Sequence, residues 1–286
     1  MAKDTIAPPG RISRLLDFLG RTMIVAGLLI LSFLAYQLWG TGIEEGRSQN
    51  AMATQFLQPQ PVQPQFGGLV GRITIPSIGV SKFVVAGVRL EDLKRGPGLF
   101  PGSPLPGQKG NVAIAGHRTT FGAPFSRIDE IHDKEKIIIE SKDGTFTYIV
   151  NGEPKIVSAT NTAVARTTNP DIASITLVSC HPKWTSTQRI IVVATLDSTE
   201  LPLPPTPFAA NEPIVEQLKD GWFNDQTAWP TVLFFGCALI AIRIIAGIMT
   251  RRGRRKTFVY LIAGGLFVPT LFLFFGGLAR LLPANV

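Results

Sequence analysis

Three side chains that could together carry out acyl transfer stand at the ends of apolar, β-branched segments. Cys180 ends the segment Ile175–Cys180, and His117 lies just beyond Asn111–Ala115. Arg189 opens the next such segment, nine residues after the thiol. A thiolate is a nucleophile, an imidazole moves protons in both directions near neutral pH, and a guanidinium offers fixed donors to an oxyanion. These groups can act together only if the fold brings the three segment ends side by side.

Cysteine usage bears on whether the thiol of Cys180 is reactive. The chain has two cysteines, and Cys237 falls inside an apolar run of membrane-spanning length, which argues against a disulfide between them. A single free thiol in an oxidising exterior is either buried and inert or kept for its reactivity. The residue type alone favours the buried, structural interpretation. The neighbouring strand ends, with their arginine and histidine, favour a reactive thiol.

Short β-branched segments separated by glycine and proline fill residues 68–198 and predict an all-β domain. We expect strands at Val70–Ile75, Lys82–Val88, Asn111–Ala115, Lys136–Glu140, Thr145–Val150, Pro154–Ala159, Ile175–Cys180 and Arg189–Leu196. Helical periodicity is confined to short stretches at Leu90–Lys94 and Phe125–Ile131. A closed barrel of about eight strands can fill its interior with side chains, so we predict an eight-stranded β-barrel with short helices.

Apolar runs outside this domain predict three transmembrane helices. The 286-residue chain is 45% hydrophobic and only 17% charged, with a mean hydropathy of +0.24. The runs at 23–39, 229–250 and 258–282 are each about long enough to cross a hydrocarbon core of roughly 30 Å. The first follows three arginines and no small-residue cleavage site follows it, so we interpret it as an uncleaved signal anchor.

The distribution of positive charge predicts the orientation in the plasma membrane. Arg251–Lys256 holds five cations in six residues, which places this loop and the N-terminus in the cytoplasm and the β domain outside. An anionic-lipid site at this loop is a weaker alternative. Residues 41–228 carry 17 basic and 18 acidic groups, so the pI of 9.8 is no argument for binding nucleic acid.

Two proline-rich stretches, Gln58–Gln65 and Leu201–Pro207, are typical of extended spacers on either side of the β domain. The predicted plan is a cytoplasmic N-terminus at 1–22, a signal anchor at 23–39, a Pro/Gln-rich linker at 40–67, an extracellular catalytic domain at 68–198, a Pro-rich linker at 199–228, a membrane helix at 229–250, a basic cytoplasmic loop at 251–257 and a membrane helix at 258–282.

Two segments closely resemble the motifs of a known enzyme family. AIAGHRTTFGAPF (Ala113–Phe125) and TLVSCHPKWTSTQR (Thr176–Arg189) are similar to the His and Cys/Arg motifs of sortases, the membrane-bound cysteine transpeptidases of Gram-positive bacteria. The resemblance continues upstream through Ile75–Val88 and Leu90–Asn111. The Cys-His-Pro triplet and the GHRTTFGAPF stretch look most like class E sortases of actinobacteria. The C-terminal membrane hairpin lies outside the usual class E plan.

The resemblance implies a sortase-like β-barrel and a role for each of the three candidates. Cys180 would be the nucleophile, His117 the acid/base, and Arg189 the group that stabilises the oxyanion or positions the substrate. It further implies cleavage of a C-terminal LAXTG- or LPXTG-like sorting signal between Thr and Gly through a thioacyl intermediate. Transfer of the acyl group to an amine would attach surface proteins to the cell wall or polymerise pilin.

The flanks of these motifs supply candidate substrate-binding residues. They are Thr119, Thr120, Ser179, Trp184, Leu99 and Phe100. Ser179 stands where the family commonly has Thr, and Leu99-Phe100 stands where class E members have His-Tyr, which leaves the preference between LAXTG and LPXTG open. Turn and rim packing is the alternative interpretation of Thr119, Thr120 and Trp184.

The implied partners are surface proteins bearing a sorting signal, a cell-wall precursor or pilin amine, and membrane lipid, but no nucleic acid. We expect no cofactor, because no Cys/His set has zinc spacing and no glycine-rich phosphate loop follows a strand. Asp129 and Glu130 are candidate calcium ligands, with ordinary surface charge as the simpler interpretation. Two alternative functions are a secreted thiol hydrolase without transfer and an inactive membrane adaptor that keeps the barrel.

Overall fold

A closed eight-stranded β-barrel forms the middle of the chain in the computed structural model, which describes residues 11–184, 187–208, 226–252 and 255–281. The strands are β1 (Leu69–Ile75), β2 (Val80–Ala86), β3 (Gly98–Leu99), β4 (Gly110–Ala115), β5 (Lys136–Ser141), β6 (Gly144–Val150), β7 (Lys155–Ser158), β8 (Ala173–His181) and β9 (Gln188–Leu196). Their order around the barrel is β6-β5-β1-β2-β3-β4-β8-β9, and pairing of β6 with β9 closes it. The predicted barrel of eight strands is therefore confirmed.

One member of the predicted set of strands differs. The strand expected at Pro154–Ala159 exists as β7, but it pairs with the first half of β9, beside the ring rather than within it. Its place in the ring is taken by β3, which runs parallel to β2 and antiparallel to β4. A strand of two residues shows no alternation of apolar and polar side chains, so no sequence pattern predicts it.

Alternation along the strands gives the barrel two apolar faces. On β8, Ile175 and Leu177 belong to the large interior cluster, whereas Val178 and Cys180 belong to a second cluster. Successive side chains of a strand point to opposite faces, so this second cluster lies on the outside of the barrel. The thiol therefore sits on the outer face, beneath residues of the loops that cover it.

A continuous helix leads from the first apolar run to the barrel. Helix α1 (Arg11–Ala35) passes through a π-helical turn (Tyr36–Gly40) into α2 (Thr41–Phe56). The helix thus occupies the first part of the linker that we expected at 40–67, and the linker is shorter than predicted. These residues are helical because α2 packs on the barrel. The packed face carries Thr41, Glu45, Gln49 and Met52.

Polar side chains fix α2 to the barrel. The carboxylate of Glu45 is buried and accepts a hydrogen bond from Nζ of Lys82 at 2.7 Å. The amide of Gln49 accepts from the backbone N–H of Phe83 at 2.7 Å and donates to the carbonyls of Phe83 at 3.0 Å and Arg95 at 2.9 Å. Gln49 thereby satisfies backbone groups that would otherwise be left unpaired at this contact.

Helix α3 (Leu90–Leu93) follows β2, and two long helices, α4 (Trp229–Arg251) and α5 (Lys256–Leu281), follow the barrel. Among the described residues, three helices are long and apolar enough to cross a membrane: Ile12–Phe56, Gln226–Arg251 and Lys256–Leu281. The first and third meet through the rings of Tyr36 and Phe272, whose centroids are 5.0 Å apart.

The chain that leaves β9 stays on the barrel as far as it is described there. Leu203 forms a bridge with Gln108, and Phe208 is buried in the interior cluster. Residues 199–208 of the expected linker at 199–228 are thus tied to the barrel, and 209–225 lie outside the described residues. Parts of the expected segments at 1–22, 251–257 and 258–282 also lie outside them, namely 1–10, 253–254 and 282.

The three hydrogen bonds of Gln49 give a test of how α2 docks. We expect Gln49→Ala to lower the free energy of unfolding of the barrel by about 1–3 kcal/mol, because it leaves partly buried backbone groups of Phe83 and Arg95 without their hydrogen bonds to Gln49. Gln55→Ala, an exposed position on the same helix, is the matched control and should change stability little. Denaturation of the full chain in detergent, followed by circular dichroism, measures both; equal effects would contradict the docking.

Candidate active site

The three candidate catalytic residues meet because β4, β8 and β9 are neighbours. The parallel register pairs Ala115 of β4 with Val178 of β8, and His117 and Cys180 each lie two residues further along. The antiparallel register between β8 and β9 pairs Cys180 directly with Arg189. A thiol, an imidazole and a guanidinium from distant parts of the sequence thus come from three adjacent strand ends.

The thiol of Cys180 is enclosed by apolar side chains. It is 2% exposed and shares the outer cluster with Val88, Leu93, Phe100, Ala113, Ala115, Ala165, Val178 and Ile191. Burial raises the pKa of the Cys180 thiol to about 11, against the opposing attraction of the guanidiniums of Arg189 and Arg118. At neutral pH the thiol is therefore protonated, and it would have to give up its proton to act as a nucleophile.

The imidazole of His117 is buried in the loop after β4. Its Nδ1 lies 3.4 Å from Oγ1 of Thr120, and its ring packs against that of Phe121 with 5.0 Å between centroids. Phe121 has a φ of +49°, in the left-handed region that a bulky residue rarely adopts. The backbone N–H of Phe121 donates to Oγ1 of Thr41 at 3.0 Å, so α2 holds the loop in this conformation.

The guanidinium of Arg189 is a buried cation next to the thiol. Burial lowers the pKa of Arg189, while the neighbouring Cys180 raises it, and arginine stays charged in proteins despite such shifts. Its Nη1 donates to the carbonyl of Gln188 at 2.9 Å, which fixes one side of the fork. A preorganised, desolvated donor of this kind stabilises negative charge that develops on a substrate oxygen.

Arg118 is a second buried guanidinium at the site, and sequence reasoning did not assign it a role. Its Nη1 donates to the carbonyl oxygen of Cys180 at 3.0 Å and lies 3.3 Å from Nδ1 of His181. Its Nη2 pairs with Asp129 at 2.7 Å. Arg118 therefore ties the loop of His117 to the end of β8. The position of Arg118, directly after His117 in the sequence, was the one feature that could have indicated a role at the site.

The two carboxylates considered as calcium ligands form ion pairs with arginines. Asp129 pairs with Arg118, and Glu130 pairs with Arg127 at 2.6 Å. Burial opposes ionisation of Asp129, but the hydrogen bond and charge of Arg118, a backbone hydrogen bond and the charge of Lys183 together outweigh it and hold the pKa of that carboxyl below its usual value. Within the described residues, no group of three or more His, Cys, Asp or Glu side chains is arranged to hold a metal ion.

Two of the six candidate substrate-binding residues point away from the thiol. Leu99 is fully buried in the interior cluster of the barrel. Ser179 alternates with Cys180 along β8, and its hydroxyl donates to the carbonyl of Gly116 at 2.7 Å. The expectation that these two line a groove is corrected, because strand alternation turns both side chains to the inner face.

The other four candidates lie in the outer cluster or in the loops that follow β4 and β8. Phe100 packs in the same outer cluster as Cys180. Thr119 and Thr120 are half-buried in the loop of His117, and Trp184, in the connection between β8 and β9, is 64% exposed. The exposed indole of Trp184 is available to contact a peptide.

The ionisation of the thiol gives a measurable pH dependence. Because burial holds the pKa of Cys180 near about 11, its alkylation by iodoacetamide in a Cys237→Ala background should keep accelerating up to roughly that pH. Arg118→Gln and Arg189→Gln each remove a cation that lowers this pKa and should move the profile to higher pH. Arg127→Gln, an exposed arginine paired with Glu130, is the control. Mass spectrometry measures the rate, and a plateau below about pH 8 would contradict the raised pKa.

Comparisons with known proteins agree with this geometry. Residues 73–197 match the family model described as the sortase domain. The chain is 28% identical over 196 residues to sortase SrtE1 of Streptomyces coelicolor, covering 61% of this chain and 55% of that protein. It is 27% identical over 219 residues to sortase SrtE2 of the same organism, covering 67% of this chain and 86% of that protein.

Among solved structures, sortase E from Streptomyces avermitilis is 30% identical with a TM-score of 0.42, covering 52% of this chain and 97% of that one. The chain spans about half the length of SrtE1. The sortase-domain match at 73–197 includes all three strand ends. The domain match includes His117, Cys180 and Arg189, so residues 73–197 of this chain form a sortase-like domain.

Proposed function

We propose that this protein is a membrane-anchored sortase that uses Cys180 to cleave a C-terminal sorting signal of LAXTG or LPXTG form between Thr and Gly. The acyl group then passes to an amine, of a cell-wall precursor or a pilin, and a surface protein becomes attached. The observation that carries the proposal is the meeting of Cys180, His117 and Arg189 at adjacent ends of β8, β4 and β9.

The first half of the reaction is attack by the thiol. Sγ of Cys180 bonds to the carbonyl carbon of Thr in the signal, and the thiol proton passes to His117 because the buried thiol is neutral before attack. The C–N bond to Gly then breaks, and His117 returns the proton to the leaving amine. A thioester between Cys180 and the surface protein remains.

The second half reverses these steps with a different amine. The incoming amine attacks the thioester carbon and His117 accepts the amine proton; the C–S bond then breaks, and His117 gives that proton to Sγ of Cys180, which regenerates the neutral thiol. Arg189 donates to the substrate oxygen while it carries negative charge in both halves. Arg118 is a positioning residue, since its donors are engaged by the carbonyl of Cys180 and by Asp129.

Burial of the thiol favours transfer over hydrolysis. Cys180 is covered by Val88 and Leu93 on either side of the start of α3 and by Ala165 from the 3₁₀ turn Thr162–Ala165. A signal must displace this cover to reach Sγ, and its own side chains then replace it. The thioester would thus be shielded from water while an amine is admitted, which supports a transpeptidase over the alternative of a thiol hydrolase.

Anchoring in the plasma membrane is part of the proposal. The N-terminus and the turn between α4 and α5 would face the cytoplasm, and the barrel would lie outside with its protein and cell-wall substrates. The support is the presence of three helices of spanning length and the cations Arg251, Arg252, Arg255 and Lys256 at the hairpin turn. No cofactor enters the proposed reaction.

Acyl transfer by variants tests the catalytic set. Cys180→Ala and His117→Ala should abolish exchange of a sorting-signal peptide onto an amine, and Arg189→Lys should lower the rate by about 10²–10³ although charge is kept, because a fixed oxyanion donor is lost. Cys237→Ala and His132→Ala are matched controls, since Cys237 lies in α4 and His132 is exposed and paired with Glu153. Mass spectrometry follows the thioester and the exchanged product.

The outcomes of that assay separate the three functions. Free acid as the main product in the presence of amine would favour the hydrolase, and absence of any thioester on Cys180 would favour the inactive adaptor. Near-normal turnover of Arg189→Lys would refute the role given to Arg189. Matched Ala and Pro peptides measure the signal preference, because a hydrogen bond donated by the Ala N–H, which Pro lacks, would favour Ala about 2- to 13-fold.

Introduced cysteines test the orientation. In a Cys180→Ala, Cys237→Ala background, Ser81→Cys on β2 should react with a membrane-impermeant maleimide on intact, wall-stripped cells. Thr257→Cys, at the start of α5, should react only after lysis, because it follows the basic turn. Both positions are exposed, so the difference reports the side of the membrane; the reverse pattern would overturn the topology.

A further inference from the structure

A cavity of about 950 Å³ lies where the barrel, α2 and the barrel-side ends of α4 and α5 meet. One wall is apolar and comes from the helices, with Tyr36, Phe235, Phe272 and Leu273. The facing wall is polar and comes from α2 and from the segment around α3. The cavity is separate from the outer cluster that encloses Cys180, so it belongs to no step of the reaction described above.

The polar wall carries an excess of positive charge. Five cations line the cavity against two carboxylates: Arg47, Arg89, Lys94, Arg95 and Arg280, with Glu44 and Glu91. Arg89 is paired with Asp92 at 3.0 Å, whereas Arg47 forms no hydrogen bond or ion pair with any other residue that the structure describes. Cations gathered in a recess lined partly by apolar side chains attract an anion.

The apolar wall restricts what kind of anion fits. Phe235 belongs to α4, and Phe272 and Leu273 belong to α5, both of which are long and apolar enough to cross a membrane. The apolar side of the cavity is therefore continuous with helix surface that would face acyl chains. A free phosphate would leave most of a 950 Å³ cavity unfilled and its apolar wall uncovered.

From this arrangement we propose that the cavity binds the head group of an anionic, phosphate-bearing membrane lipid, with its acyl chains along α4 and α5. The phosphate lies against Arg47 and Arg280, which approach from α2 and from the end of α5. The lipid bridges the barrel and the membrane helices, near the contact between the rings of Tyr36 and Phe272.

The same cavity is connected to the catalytic histidine. Nζ of Lys94, which lines the cavity, lies 5.8 Å from the centre of the Phe121 ring, and that ring packs against His117. A phosphate that attracts Lys94 therefore acts on a side chain in contact with the ring that supports the imidazole. Binding of a lipid at the membrane and the position of the acid/base are linked through two side chains.

Lipid binding to the full chain tests the proposal. The protein is purified in a neutral detergent, and its affinity for dioleoyl phosphatidylglycerol and for zwitterionic dioleoyl phosphatidylcholine is measured by native mass spectrometry. We expect phosphatidylglycerol to be retained preferentially, and Arg47→Gln and Arg280→Gln each to weaken its binding about fivefold, the effect of one cation near an anionic lipid. Arg251→Gln, the same charge change at the opposite end of the hairpin, should leave the affinity unchanged.

Three results would overturn the assignment. Equal loss of affinity in Arg251→Gln would make the binding a general effect of positive charge, and equal retention of the two lipids would remove the role of the anion. Displacement of the lipid by millimolar inorganic phosphate would make the cavity a site for a free anion. Arg47→Lys guards against misfolding as an explanation, because it keeps the cation and should retain most of the binding.

Discussion

The pairing of β8 with β4 on one side and with β9 on the other is the constraint on which the site depends. It sets Cys180 opposite Arg189 and level with His117, although these residues come from separate parts of the sequence. A slip of one residue in β8 would exchange the faces of Cys180 and Ser179 and put the thiol inside the barrel. The interior cluster opposes such a slip, because Ile175 and Leu177 would then lose their place in it.

Burial of the guanidiniums of Arg118 and Arg189 beside a neutral thiol costs solvation free energy. The groups around each arginine offset this cost differently. Arg118 is satisfied by the carbonyl of Cys180 and by Asp129, so its charge is compensated within the fold. Arg189 donates from Nη1 to the backbone carbonyl of Gln188, and it lies opposite the thiol residue Cys180 of β8. The first arginine therefore suits a structural role and the second suits a bond to substrate.

The parts of the molecule that could be predicted are those whose residue pattern lies within a single segment of the sequence. Long alternating strands and their chemically distinctive ends are such parts, and the three candidates Cys180, His117 and Arg189 follow from them. Helix α2 was missed because it docks through the polar side chains of Thr41, Glu45 and Gln49, which leave no hydrophobic period to detect. The inward orientation of Leu99 depends on β3, whose existence is decided by its neighbours.

Helix α2 also explains how the loop that carries His117 keeps an unfavourable backbone conformation. Phe121 at φ +49° and Ala123 at φ +43° occupy conformations that the loop would not hold by itself. Oγ1 of Thr41 accepts a hydrogen bond from the backbone N–H of Phe121. The carboxylate of Glu45 lies so close to Gly122 that a Cβ at position 122 would collide with it. Because α2 continues α1 through the π-helical turn, the loop that carries His117 is braced by a helix that is long and apolar enough to cross a membrane. In the proposed membrane-anchored enzyme, the position of the imidazole would therefore depend on the angle at which that helix leaves the bilayer, and the anchor would be part of the catalytic framework.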